Sequence, residues 1–225
     1  MITFARGSER AGRVASAAMS QLSLFSAAAR EPQLSDLEGL LAGPGQVVRR
    51  EGGVGQTAGR VSVVVPMGWR VSGLVAELAA LGLDAEVEDM PDDGTGPRPV
   101  AVRTPWLAAL RALADAWTRG AVKVPPEHWS LDGPRLRWWC LAAGSAAPAM
   151  YTLALGVNDE PAWPAVGAAL AAAGIPGLLV GPRADGPAYR IVGQRRLTRL
   201  RELVGDPPDG APPEGWPAAD YARGA

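Results

Sequence analysis

The sequence predicts an α+β fold made of two tandem units that pack around a pseudo-two-fold axis. Two observations carry this prediction. Strand-type and helix-type hydrophobic patterns alternate along the chain, and the second half repeats the element order of the first. The 225 residues are enough to bury a substantial core in one domain.

The first unit predicts the order helix, strand, strand, helix, strand, strand, helix. Ser35 is a suitable N-cap for a short helix that ends before Gly43. β-Branched residues predict strands at 46–49, 60–65, 85–88 and 100–103. Apolar residues at helical spacing predict helices over 71–81 and 107–117.

The second unit follows the same order with less regular elements. Helices are predicted at 136–143, 163–173 and 195–204, and strands at 150–155, 178–180 and 189–192. The first strand of this unit is expected to be short or missing. Trp69 and Trp163 occupy equivalent places before the middle helices of the two units.

The two halves align at an offset of 92 residues. This offset places Leu78 on Leu170 and the terminating Gly82 on Gly174. Alanine-rich helices also resemble each other by composition alone, but agreement across three strands, two helices and their terminal glycines favours duplication. The predicted division is an N-terminal arm (1–34), repeat one (35–120), a connector (121–133), repeat two (134–205) and a loose Pro- and Gly-rich tail (206–225).

Composition limits the classes of function. The formal net charge of -1 argues against coating nucleic acid by bulk charge, so DNA contact would need a local basic patch. The single Cys140 indicates a reducing compartment, and no apolar run has the length of a membrane span. We expect a cytoplasmic, nucleoid-associated monomer without a membrane contact, a cofactor or a metal ion. The one histidine, His128, has no partners for a zinc site or a catalytic triad.

Residues 37–45 and the degenerate copy at 138–144 resemble the LAGLIDADG motif of homing endonucleases. With the element order, the resemblance covers about residues 35–205 and implies a saddle-shaped domain. It implies two motif helices at the axis, each ending in an acid that binds a divalent metal ion. Those positions hold Pro44 and, nearby, Gly144, and no acid lies between Gly133 and Val157. The resemblance therefore implies the fold but not an enzyme, as in the degenerate LAGLIDADG domain of WhiA-type regulators. The chain also resembles a protein family of GC-rich, actinobacterial-type bacteria.

The pentapeptide Gln21-Leu22-Ser23-Leu24-Phe25 is similar to the motif by which bacterial replication and repair proteins bind the β sliding clamp. The resemblance implies that Leu24 and Phe25 fill an apolar pocket, Leu22 packs at a shallower site and Gln21 sets the register. The alternative is an amphipathic helix that buries Leu22 and Phe25 in the core.

Arginines predict a DNA surface on the saddle, where strand side chains would reach the major groove. The candidates lie on or near predicted strands and on the last helix: Arg60, Arg103, Arg183, Arg190, Arg195, Arg196 and Arg199. The alternative is a solvated helix face. The acidic residues of 86–93 predict that any DNA surface is asymmetric.

The leading functional hypothesis is a non-catalytic accessory protein of DNA replication or repair, bound to the β sliding clamp through its arm, with a body that contacts double-stranded DNA. The alternative is a transcription regulator with a degenerate LAGLIDADG domain. An enzyme with an unrecognised site is a third hypothesis, for which a deep pocket with convergent acids would be the evidence.

Overall fold

Two copies of the predicted unit follow each other in a computed structural model, which describes residues 26–27, 30–51, 57–91, 94, 96–181 and 186–218. Repeat one contains α1 (Glu38–Ala42), β1 (Gln46–Glu51), β2 (Thr57–Pro66), α2 (Trp69–Ala80), β3 (Glu86–Asp89), β4 (Pro99–Arg103) and α3 (Arg111–Trp117). A hairpin of β5 (Thr118–Arg119) and β6 (Val122–Lys123) follows, in place of an unstructured start to the connector.

Repeat two has the same order of elements. It contains α4 (Gly133–Ala143), β7 (Gly144–Ala147), β8 (Met150–Ala154), α5 (Trp163–Ala172), β9 (Leu178–Val180), β10 (Ala188–Val192) and α6 (Gln194–Val204). The first strand, β7, is short, as predicted.

The two main sheets confirm the duplication. Each is antiparallel with four strands, in the orders β1-β2-β4-β3 and β7-β8-β10-β9. The offset found in the sequence also holds, because Leu78 and Leu170 are both buried in the middle helices. Gly82 and Gly174 follow those helices with φ of 72° and 82°, a left-handed conformation that favours glycine. The predicted fold class is confirmed.

The core is centred on α1 and α4, which pack against each other at the junction of the repeats. Gly39 of α1 makes this contact close, because a Cβ there would lie 1.9 Å from the backbone oxygen of Arg135. Arg135 also binds Glu38 through Nε at 2.7 Å. Most of α4 is buried, including Cys140, where burial raises the pKa of the thiol to about 12.

The first turn begins earlier than the predicted Ser35 cap. It covers Leu34–Leu37 and starts after Gln33, whose backbone N–H donates to Asp36 Oδ2 at 2.9 Å. Asp36 is buried and is paired with Arg30. This carboxylate, which has an ionic partner within the fold, therefore takes the capping role that the sequence assigns to a hydroxyl.

Residues 206–218, expected as a loose tail, instead pack against the helices. Trp216 is buried, its indole Nε1 donates to Gly205 O at 3.0 Å, and the Arg137 guanidinium lies 5.2 Å from its ring centroid. Gly215 lies against the ring of Trp69. A single large aromatic side chain therefore anchors a segment that is otherwise rich in proline and glycine.

None of the helices in the described part of the chain combines the length and hydrophobicity needed to cross a lipid bilayer.

Substituting Gly39→Ala should lower the free energy of unfolding by about 3 kcal/mol or more, because the new methyl group meets rigid backbone of α4. Urea unfolding followed by tryptophan fluorescence measures the change. Gly181→Ala is the matched control, since a Cβ at Gly181 would meet no atom within 4 Å. Equal stability of the two variants would contradict the close helix contact.

Substituting Trp216→Ala should cost about 3–5 kcal/mol, the usual range for removing a buried tryptophan. The expected result is a lower thermal midpoint together with faster proteolysis after residue 205. Trp106→Ala is the control, because Trp106 is only partly buried and lies at the edge of the first sheet. A Trp216→Ala protein with the parent's thermal midpoint would show that the segment contributes no stability.

Candidate nucleic-acid interface and the ends of the motif helices

The first sheet has one buried face and one outward face. Val61, Val63 and Val65 of β2 are buried, so the alternating residues Arg60 and Ser62 lie on the other side. Strand register brings the charged residues of the four strands onto this outward face, namely Arg50, Arg60, Glu86, Glu88 and Arg103.

Two predicted DNA-contacting arginines on this face are paired with acids. Arg60 binds Glu86 at 2.5 Å, and Arg103 binds Glu88. The guanidinium carbons of Arg50 and Arg60 also lie 4.7 and 4.9 Å from the ring centroid of Trp106. The face therefore carries three arginines and two carboxylates around one tryptophan. Sequence reasoning noted the acids of 86–93 but did not pair them with these arginines.

The outward face of the second sheet is mainly apolar. Among its described strand residues Arg190 is the one charged side chain, and it pairs across to Thr152 in β8. Leu178 and Val192 flank it, 66% and 42% exposed. Arg190 Nε is buried and has no hydrogen-bond partner among the described residues. The repeats therefore share a backbone but present different surfaces.

The arginines of the last helix lie on a separate surface. Leu197, Leu200 and Leu203 of α6 are buried against the core, whereas Arg195 and Arg196 are exposed. With Arg199 they line a shallow hollow next to the turn at Gly174 and Pro176. Because α6 packs on α4, this basic surface lies in the helical layer, not on the outward face that carries Arg190. Arg183 and the peptide Gln21–Phe25 lie outside the described residues.

The ends of α1 and α4 are the positions where the family resemblance implies metal-binding acids. α1 leads through Gly43, Pro44 and Gly45 into β1, and α4 leads directly into β7 at Gly144. Both helix ends are therefore adjacent to the first strand of their own sheet. Gly43 also lies against the indole of Trp139, and a Cβ there would come within 2.5 Å of Cδ1.

A buried lysine occupies the end of α1. Lys123 Nζ donates to Gly43 O at 2.7 Å and to Gly45 O at 2.8 Å, and it pairs with Asp159 Oδ2 at 2.7 Å. Gln46 Nε2 donates to the same carboxylate at 3.2 Å. Burial lowers the pKa of Lys123, while the hydrogen bond and charge of Asp159 act in the opposite direction.

An arginine occupies the end of α4 in a comparable way. Arg70 Nη1 donates to Leu141 O at 2.6 Å and to Cys140 O at 3.2 Å, and Nη2 binds Gly144 O. A positive side chain at a helix C-terminus is electrostatically favourable, because the last carbonyls carry partial negative charge. Sequence reasoning missed both cations. The available signal was that Lys123 is the only lysine in the chain.

A divalent metal ion does not fit the residues at the end of α1. One carboxylate and two backbone oxygens converge there, and all three already bind the Lys123 ammonium. No group of three or more metal-binding side chains occurs among the residues that the structure describes. Hard cations need several free oxygen ligands, and these are not available beside a protonated lysine.

No protein-family model matches the chain, and no curated protein matches it. Solved structures do. The homing endonuclease I-WcaI bound to its DNA recognition sequence matches with a TM-score of 0.53 and 9% identity, over 76% of this chain and 79% of that chain. A study of mesophilic variants of the homing endonuclease I-DmoI matches at 0.46 and 12% identity, over 77% and 95%.

The prediction that the chain is not an enzyme is contradicted by this comparison, because the solved structures that it matches are endonucleases. The missing acids at Pro44 and Gly144 were the whole basis of that prediction, and they concern only two positions of the fold. At these identities the comparison shows the fold alone. The chain has a duplicated LAGLIDADG-like fold.

Proposed function

We propose that this protein binds double-stranded DNA with the outward faces of its two sheets, and that its N-terminal arm attaches it to the β sliding clamp. The observation that carries the first part is the fold, which is shared with an endonuclease solved on its DNA recognition sequence. The outward placement of Arg50, Arg60, Arg103 and Arg190 adds chemistry suited to a duplex.

The ion pairs on the first sheet do not prevent phosphate binding. Glu86 and Glu88 are more than half exposed, and pairs of this kind contribute little to stability. A phosphate can therefore replace a carboxylate as the partner of Arg60 or Arg103. Arginine suits this exchange, because its planar guanidinium binds phosphate through two parallel hydrogen bonds.

The second sheet offers a different kind of contact. Small and apolar side chains surround Arg190, which suits contact with sugars and thymine methyl groups more than with phosphates. We therefore assign phosphate contacts mainly to the first sheet. The overall charge of -1 fits a complex with few ionic contacts and modest dependence on salt.

The triple variant Arg60→Gln, Arg103→Gln, Arg190→Gln should bind a duplex at least tenfold more weakly and reduce the salt slope by about 3, one for each lost phosphate contact. Fluorescence anisotropy with a mixed-sequence duplex across a salt series measures both. Incubation with Mg²⁺ or Mn²⁺, followed by denaturing gels, tests the same complexes for cut strands.

The matched control is Arg195→Gln, Arg196→Gln, Arg199→Gln, which removes the same charge from the helical layer and should change affinity less than twofold. Glu86→Gln with Glu88→Gln should increase affinity, because Arg60 and Arg103 lose their competing partners. A larger loss in the α6 variant than in the sheet variant would refute the assignment.

The clamp attachment is supported by the sequence Gln21-Leu22-Ser23-Leu24-Phe25 and by where the arm joins the body. Arg30 binds Asp36 and Asp132 at the N-terminal ends of the motif helices, the ends away from the strands. The attachment point of the arm is therefore remote from the outward faces of the sheets. Clamp and DNA would not compete for the same surface.

Substituting Leu24→Ala with Phe25→Ala should abolish clamp binding, because both anchors of the peptide are lost. Surface plasmon resonance on immobilised clamp should give a Kd of about 1 μM for the parent protein, a typical strength for a short peptide motif. Ile2→Ala with Phe4→Ala removes similar side chains from the same arm and should bind normally. A transcription regulator, the alternative function, would instead bind one DNA sequence without needing residues 1–30.

A further inference from the structure

The environment of the Lys123 ammonium resembles the oxygen environment of a metal ion. Two backbone carbonyls and one carboxylate converge on Nζ at 2.7–2.8 Å. The lysine and the aspartate side chains are 3% and 8% exposed, so water does not take the place of either partner. The Gln46 amide, whose Nε2 lies 3.2 Å from Asp159 Oδ2, has a second oxygen that a small rotation would direct to the same point.

The parts of this cluster come from three separate regions of the chain. The carbonyls follow α1 in repeat one, Asp159 follows β8 in repeat two, and Lys123 lies in the hairpin between the repeats. The ammonium therefore neutralises a buried carboxylate exactly where the two repeats meet. An uncompensated aspartate at this position would be costly, so some cation is required.

We propose that the Lys123 ammonium is a built-in cation that takes the position of a divalent metal ion at the end of α1. Removing the ammonium leaves two carbonyls, a carboxylate and a reorientable amide, a ligand set suited to Ca²⁺-like ions. Arg70 supports the proposal independently, because it supplies a protein cation to the carbonyls at the end of α4. The proposal concerns the cation held at this position, and it does not depend on DNA binding.

Terbium luminescence tests the proposal directly. Tb³⁺ binds oxygen sites of the Ca²⁺ type, and the Trp139 indole beside Gly43 would sensitise its emission. The parent protein should show no saturable emission up to about 1 mM Tb³⁺. Lys123→Ala should show saturable emission with a Kd of about 0.1–1 mM, the range of weak natural Ca²⁺ sites. Mn²⁺ should compete with it.

Three variants make the result specific. Lys123→Met retains the aliphatic stem, and it should gain the same emission if Lys123→Ala is too unstable to purify. Adding Asp159→Asn to either variant should remove the emission. Asp209→Asn, an exposed substitution of the same type, should leave it unchanged. Saturable, Asp159-dependent binding by the parent protein would overturn the proposal, and so would the absence of binding in both lysine variants.

A second measurement needs no substitution. Because Lys123 is the only lysine, protein labelled with ¹⁵N-lysine should give a single side-chain ammonium signal in NMR spectra. Three hydrogen-bonding partners and burial should make that signal observable and slow its proton exchange. Paramagnetic Mn²⁺ should not broaden it selectively at 1 mM or less. Selective broadening at lower concentration would place a metal ion beside Nζ and contradict the proposal.

Discussion

The backbone of α1 runs directly against the backbone of α4, and the arrangement of both repeats depends on this contact. Gly39 permits it, because any side chain there would overlap the carbonyl of Arg135. Each helix leads into the first strand of its own sheet, so the helix contact also sets how the sheets are placed. Polar links at the other ends reinforce it, including Glu38 with Arg135 and with the Trp129 indole at 2.9 Å.

Duplication preserved the backbone while the surfaces diverged. The strand order is identical in the two sheets, yet one outward face is rich in charge and aromatic contacts and the other is mostly small and apolar. Backbone pairing constrains the inward residues, because they fill a shared core, but leaves outward residues free to change. A duplex bound across both faces would meet two chemically different halves.

Cations supplied by the protein stabilise both motif helices at their C-terminal ends. Lys123 neutralises Asp159 and satisfies carbonyls after α1, and Arg70 satisfies the last carbonyls of α4. Each removes backbone acceptors from competition with water, and each connects segments that are distant in the sequence. The tail adds a similar long-range contact, since Trp216 seals the far side of the helical layer.

The sequence by itself determined the fold class, the duplication and the position of most elements, because hydrophobic period and terminal glycines are local properties. It also identified the arginine candidates and the peptide at Gln21–Phe25, whose role stays a prediction. Only the tertiary structure decided that Arg60 and Arg103 have acidic partners, that Arg190 and the α6 arginines lie on different surfaces, and that Lys123 meets Asp159. These are contacts between residues far apart in the chain, and no local pattern encodes which distant charges meet.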